Sequence, residues 1–245
     1  MSEWFEEWFN SPEYLNIYSH RSLNEADEFA KTLTDAFKFP ESCKTLDLAC
    51  GAGRHAIAFA CLGHDVTAID ISQSLLDEAH RETDKQKLKI NYLNADIRTF
   101  KSADKFDLVL NVFTSFGYSE KDEENFSVFG TAENNLKDGG RFVFDFLNEN
   151  YVKKTLVPYS RNISGGTVFE QVREIKNNFV MKDIIIQSDG KINTFNERVK
   201  MYDSERLTAE LENAGLTVES VWGDYKGGEF VKDYSPRFIA VCRKK

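Results

Sequence analysis

Three acidic residues, Asp47, Asp70 and Asp96, stand in or just after short apolar runs, and between the first two lies Cys50-Gly51-Ala52-Gly53. Glycines at such a turn let the backbone approach a ligand closely, and the helix that follows offers unpaired amides at its start. Asp70 falls about 20 residues beyond the first glycine, where an acidic strand tip accepts hydrogen bonds from ribose hydroxyls. Together these residues describe a nucleoside pocket. The third glycine of G-x-G-x-x-G is missing, because His55 and Ala56 occupy the positions around it, and this weakens a dinucleotide reading. Asp47, four residues before Gly51, can brace the amides of the turn; it is a poor neighbour for a pyrophosphate and a good one for a cation.

The elements that must hold these groups alternate. TLDLA, VTAID, INYL, FDLVLNV and RFVFDF read as strands, most of them continuously apolar as strands covered on both faces are. Helices separate them: Arg54 to Leu62 closing on Gly63, a second starting at Ser72 with Leu75, Leu76 and Ala79 inward, and a third carrying Phe126, Phe129, Ala132 and Leu136. The pattern predicts an α/β fold, doubly wound about a mostly parallel sheet. Upstream, Ser11-Pro12 starts one helix, and the Ser22/Glu25 capping box starts another, whose apolar residues from Leu23 to Phe37 recur at spacings of three and four. Downstream, TVFEQVREI, FVMKDIIIQ and INTFNERVKMY are joined by Asn177-Asn178 and by Ser188 to Lys191, which are hairpin turn signals. Ser204 caps a last helix, and LTVESVW and RFIAVCR close the chain. The expected organisation is one domain over 1–245, with a helical cap at 1–40 and an antiparallel β insertion at about 160–203.

Composition narrows the class. No apolar run approaches the length needed to cross a bilayer, and the acidic, aromatic start MSEWFEEWFN is unlike a secretory signal. Cys43, Cys50, Cys61 and Cys242 are scattered without a C-x-x-C pair, so neither a disulfide framework nor a metal site is expected, and a reducing cytoplasm fits. A formal charge of -9 makes nucleic acid a disfavoured partner.

LDLACGAG, AIDIS, NADI and FDLVLNVFTSFGY, in that order across residues 45–118, resemble the motif series of class I S-adenosylmethionine-dependent methyltransferases. Ala49 replaces the first glycine of the usual series, with Cys50 beside it. The resemblance implies a seven-stranded sheet of order 3-2-1-4-5-7-6 with the last strand antiparallel, S-adenosylmethionine as cofactor, and methyl transfer to a small-molecule acceptor by in-line displacement. It also implies roles. Asp70 would bind the ribose hydroxyls, Ile71 would pack on the adenine, Asp96 would accept from the adenine amine, and the Ile97 amide would donate to the ring. The loop from Ala49 to Gly53, Cys50 included, would run beneath the methionine part, with the carbonyls of Ala49 and Asn111 accepting from its ammonium.

The segment EYLNIYSHRS resembles one in which an N-terminal helix lies over the cofactor, so Arg21 would meet the methionine carboxylate while Tyr14 or Tyr18 closes over it. His20 is a base to consider, and Trp4, Phe5, Trp8 and Phe9 form either a lid or an anchor. Thr114, Phe116 and Tyr118 are expected at the pocket mouth, with Tyr225, Tyr234 and Arg237 as acceptor contacts. NVFTSFGY lacks the N-P-P-Y proline of enzymes that methylate exocyclic amines of bases. No catalytic triad is expected, because in-line transfer rests on positioning and exclusion of water. Two other readings stay open: an NAD(P)-dependent oxidoreductase, and a non-catalytic nucleoside-binding module. The long strands of the insertion can also serve a homodimer as well as a monomer.

Overall fold

Strands that carry apolar residues on both faces need cover on both, and this chain supplies it with helices on either side of one sheet. The computed structural model describes residues 3–18, 23–40, 42–188 and 190–245. In chain order the elements are α1 (Trp4–Phe9), α2 (Pro12–Tyr18), α3 (Leu23–Phe37), β1 (Lys44–Leu48), α4 (Arg54–Cys61), β2 (Asp65–Asp70), α5 (Gln73–Lys85), β3 (Asn91–Asn94), β4 (Phe106–Asn111) and α6 (Asp122–Asn135). There follow β5 (Leu136–Leu147), α7 (Glu149–Thr155), β6 (Tyr159–Ser164), β7 (Thr167–Lys176), β8 (Phe179–Ser188), β9 (Lys191–Lys200), α8 (Ser204–Asn213), β10 (Leu216–Trp222) and β11 (Arg237–Lys244).

The main sheet has seven strands in the order β10-β11-β5-β4-β1-β2-β3. Strands β1 to β5 pair in parallel, whereas β11 lies antiparallel to both β5 and β10, as the resemblance implied. Side-chain alternation sorts the core into two layers. Phe142, Phe144 and Phe146 of β5 join Phe129 of α6 and Leu211 of α8 on one face. Val143, with Leu108 and Leu110 of β4, joins Ala26 and Phe29 of α3 and Phe59 of α4 on the other. A period of two along each strand makes this division.

The insertion is a separate antiparallel sheet of order β6-β7-β8-β9. Asn177 and Asn178 both take left-handed φ, 50° and 66°, as the two-residue turn between β7 and β8 requires. It holds four strands where the sequence pattern showed three, because β6 is almost wholly exposed and carries no apolar alternation. Two further details differ. Asp203, not Ser204, caps α8, its side chain accepting from the Arg206 amide. Helix α7 carries no buried residue that could have marked it, and Asn148 caps it through the Asn150 amide. Among the described residues, no helix is long and apolar enough to cross a membrane.

Candidate functional site

The parallel strands β1, β2 and β4 end on one edge of the sheet, and a cavity of about 790 Å³ opens there. Its lining brings together Asp47, Ala49, Cys50, Gly51, Asp70, Ile71, Asp96 and Ile97 with Thr114, Phe116, Tyr118 and Tyr14. Such convergence at the carboxyl ends of strands, where the strand order reverses between β1 and β4, is where open α/β sheets bind ligands.

Asp70 is almost fully buried at the tip of β2. One of its oxygens accepts from the Gly51 amide and the other from the Ser72 amide, each at 2.8 Å. Burial pushes its carboxyl above the usual range, and those amides pull against the shift. Asp70, and not Asp47, therefore braces the glycine bend. Both oxygens of Asp47 are buried, and among the described residues neither has a partner in good hydrogen-bond geometry. Burial, and then the neighbouring Asp70, raise its pKa to about 7, while the Ala56 amide and Arg54 act the other way.

Gly51 takes φ +56, and a Cβ there would meet nothing within 4 Å; it is the open floor of the cavity. Gly53 answers to a different constraint. It lies outside the lining, at φ +81, and a Cβ would stand 2.6 Å from the Tyr92 hydroxyl, so close packing against β3 is what requires glycine there.

At the far end, Asp96 is gripped by Arg98, whose Nε and Nη2 reach its carboxylate at 2.7–3.0 Å, while Arg98 Nη1 donates to Glu3 at 2.9 Å. Burial works against the Asp96 carboxylate, but the Arg98 hydrogen bonds and charge outweigh it and hold the group below the usual range. Asn111 also lies outside the lining; its Nδ2 donates to the Leu48 carbonyl at 3.0 Å, and its buried Oδ1 has no partner among the described residues.

Helix α1 roofs this floor. Trp4, Phe5 and Phe9 line the cavity, and the Phe9 carbonyl accepts from Ser72 Oγ at 2.8 Å. Trp8 turns away to the inserted sheet, where its indole donates to Glu197 at 2.7 Å and its ring lies 4.3 Å from that of Phe195. Lys182 and Glu197, paired across β8 and β9 at 3.0 Å, bring the insertion into the cavity wall. The turn between those strands sets that pairing and was legible in sequence; its placement at the cavity was not. Arg21 and His20, and the Tyr18 side chain, lie outside the described residues.

The loop after β4 forms the remaining wall. Phe113 and Thr114 both adopt left-handed φ, 64° and 65°, a rare state for residues other than glycine. Tyr225 and Arg237, expected as acceptor contacts, are absent from the lining. They are committed instead to the fully buried Asp145, which accepts from the Tyr225 hydroxyl at 2.7 Å and from Arg237 Nε at 2.8 Å. Tyr234, also expected there, is largely exposed. Phe116 borders the cavity but is 2% exposed and stacks on Phe129, so its first role is in the core. Sequence reasoning passed over Arg54 and His55, which line the cavity from the first turn of α4, directly after the bend. Burial and the adjacent Arg54 charge lower the His55 pKa to about 3, so its imidazole is neutral at physiological pH.

An open α/β sheet with an acid-flanked glycine bend at its switch point is an arrangement able to hold a nucleoside. Residues 45–140 match the family model described as a methyltransferase domain. A ubiquinone biosynthesis O-methyltransferase from Coxiella burnetii is 33% identical over 107 residues, covering 43% of this chain and 44% of that protein. A dTDP-3-amino-3,4,6-trideoxy-alpha-D-glucopyranose N,N-dimethyltransferase from Streptomyces venezuelae is 25% identical over 138 residues, 54% of this chain and 56% of that one. The chain thus spans about half the length of these curated relatives. Among solved structures, an S-adenosylmethionine-dependent methyltransferase from Clostridium acetobutylicum superposes with a TM-score of 0.82 at 21% identity, over 95% of this chain and 98% of that one, a likeness of fold. Residues 45–140 are thus similar to a methyltransferase domain, and the chain as a whole shares the fold of an S-adenosylmethionine-dependent methyltransferase.

Proposed function

We propose that this protein transfers a methyl group from S-adenosylmethionine to a small-molecule acceptor. The observation that carries the reading is Asp47: a carboxylate buried without a well-formed hydrogen bond among the described residues, beside a second one, on the wall of a cavity. A buried anion of this kind is stabilised by a cationic ligand, whereas a dinucleotide pyrophosphate would bring like charge against Asp47 and Asp70. None of the relatives named above is an oxidoreductase.

The residues present fit the cofactor. Asp70 keeps lone pairs that would accept from the ribose hydroxyls after accepting two amides, Ile71 and Ile97 would offer apolar surface to the adenine, and Asp96, steadied by Arg98, would accept from the adenine amine. Gly51 would leave room for the methionine part, the Ala49 carbonyl from the lining would accept from its ammonium, and Arg21 is the proposed partner of its carboxylate. When bound, the cofactor supplies an electrophilic methyl carbon on a sulfonium. The chain's own contribution is positioning and desolvation: α1 with its aromatic side chains, Tyr14 and Tyr118 close the cavity over the bend and exclude water. The acceptor enters between α1, the loop after β4 and the inserted sheet, with Thr114 and Tyr118 as its contacts. One of the relatives named above methylates oxygen and the other nitrogen, so their names leave the acceptor atom open. The net charge and the excess of carboxylates in the lining favour an uncharged or basic metabolite of the cytoplasm.

A thermal-shift panel with S-adenosylmethionine, S-adenosylhomocysteine, NAD and NADP tests this. At a hundredfold excess over Kd a ligand adds about 2.7 kcal/mol, about 5–10 °C in Tm for a chain of this size. The two adenosyl sulfur compounds are expected to give that shift; stabilisation by NAD alone overturns the reading. A metabolite screen with labelled methyl donor then identifies the acceptor, and no turnover across a broad panel points to a binding module.

A further inference from the structure

The loop after β4 is held in a conformation that its own sequence disfavours. Two consecutive residues with side chains, Phe113 and Thr114, sit at φ 64° and 65°, each costing free energy that the surroundings must offset. The surroundings are specific. Asp145, on neighbouring β5 and with no exposed surface, accepts from the Phe113 amide at 2.7 Å, and its carbonyl accepts from the Thr114 amide at 3.3 Å. Arg237, at the start of β11, donates to the Asp145 carboxylate at 2.8 Å and to the Thr114 hydroxyl at 2.7 Å. Tyr225 completes the group through its 2.7 Å bond to Asp145, its ring set edge-on to Phe29 at 5.0 Å. The loop is tied to the bend as well, since Asn111 Nδ2 bridges the Leu48 and Ser115 carbonyls at 3.0 and 3.3 Å. Arg54, the first residue after the bend, lies over the Phe113 ring at 4.6 Å.

Strand order says what this wall faces. Across the edge of the sheet, Asp96 follows β3, Asp70 ends β2, the bend follows β1, and Phe113–Thr114 follow β4, successive strands being about 4.8 Å apart. A donor whose adenine lies at Asp96 and whose ribose lies at Asp70 therefore extends its amino-acid and sulfur end over the bend toward Phe113 and Thr114. We infer that Asp145, Arg237 and Tyr225 are positioning residues: they hold Phe113–Thr114 in the left-handed turn that shapes the subsite for the amino-acid end of the donor, where the methyl group is transferred. This rests on the donor assignment above.

The test compares two probes, S-adenosylhomocysteine and 5′-methylthioadenosine; the second keeps the adenosyl thioether and lacks the amino-acid group. Calorimetric affinities are measured for the unsubstituted chain, Tyr225→Phe and Arg237→Lys, with Thr114→Val as the variant that removes the hydroxyl Arg237 reaches. In each variant, affinity for S-adenosylhomocysteine is expected to fall about tenfold, the loss of roughly one charge-assisted hydrogen bond, while that for 5′-methylthioadenosine stays within about twofold. A cluster that merely supports the core would change both affinities alike or neither. Equal losses, or none, in the variants that remain folded overturn the inference and leave the donor assignment standing. Failure of the unsubstituted chain to bind S-adenosylhomocysteine overturns both.

Discussion

Asp47 holds its charge in a place that penalises it, and pH exposes the penalty. Its folded pKa of about 7 lies above the ordinary 3.8, so between those values the native state retains a proton that the unfolded chain has released. Its contribution to stability therefore falls as pH rises from about 4 to about 7 and is level beyond. A cation bound beside it reverses the shift and expels the proton. The affinity for S-adenosylmethionine is accordingly expected to rise about tenfold between pH 6 and pH 8. Calorimetry on Asp47→Asn should show weaker binding at pH 8 and a flattened profile; an unaltered slope would assign the titration to another group. Asp70→Ala removes the acceptor of two amides and the proposed ribose contact, and binding should weaken by about tenfold or more with the circular dichroism spectrum retained. Unchanged affinity would take Asp70 out of the site. Both acids were legible in sequence from their spacing to the bend, but their division of labour was not, because it depends on which carboxylate the Gly51 amide faces once β1 and β2 are paired.

The glycine bend shows what an element asks of its residues. Gly51→Ala meets open space and pays only for its left-handed backbone, about 1–2 kcal/mol. Gly53→Ala adds a collision with Tyr92 and with Ala79, whose Cβ lies 3.0 Å away, and should lose several kcal/mol in total. Urea denaturation is expected to rank Gly53→Ala as the less stable, whereas ligand affinity, corrected for folding, should suffer more in Gly51→Ala. The opposite ranking would exchange the two roles. Helix α1 makes a related point. Six residues are too few to be helical alone, so Trp4–Phe9 owes its helix to aromatic packing and to the Ser72 and Arg98 latches. Only those distant partners turn an aromatic stretch into a roof.

On the scale of the whole molecule, two sheets are joined through the cavity. The Lys200 amide donates to the Gly117 carbonyl at 2.7 Å, and the Tyr202 hydroxyl accepts from Asn125 at 2.9 Å, so the strand end of the insertion is fastened to the loop after β4 and to α6. Trp8, Ile17, Ile184 and Ile186 form a third core under the insertion. Shared contacts of this kind favour one cooperative unit. Scanning calorimetry is expected to show a single unfolding transition for residues 1–245; two resolved transitions would make the inserted sheet a domain of its own.

The amino-acid sequence alone determined what local chemistry determines. Apolar runs marked every strand but β6, Ser72 and Gly63 bounded helices, Asn177-Asn178 set a hairpin register, and the βαβ spacing pointed to the bend, where the cavity opens. These features arise from neighbours a few residues apart, whose backbone preferences and side-chain periods act before the chain is folded. Tertiary structure alone decided that Tyr225 and Arg237, 80 and 92 residues from Asp145, lie behind the cavity wall. It also decided that Gly53 is reserved for Tyr92, and that Lys182 lines the cavity. Such contacts follow from how whole elements dock, which depends on the summed burial of surfaces far apart in the chain.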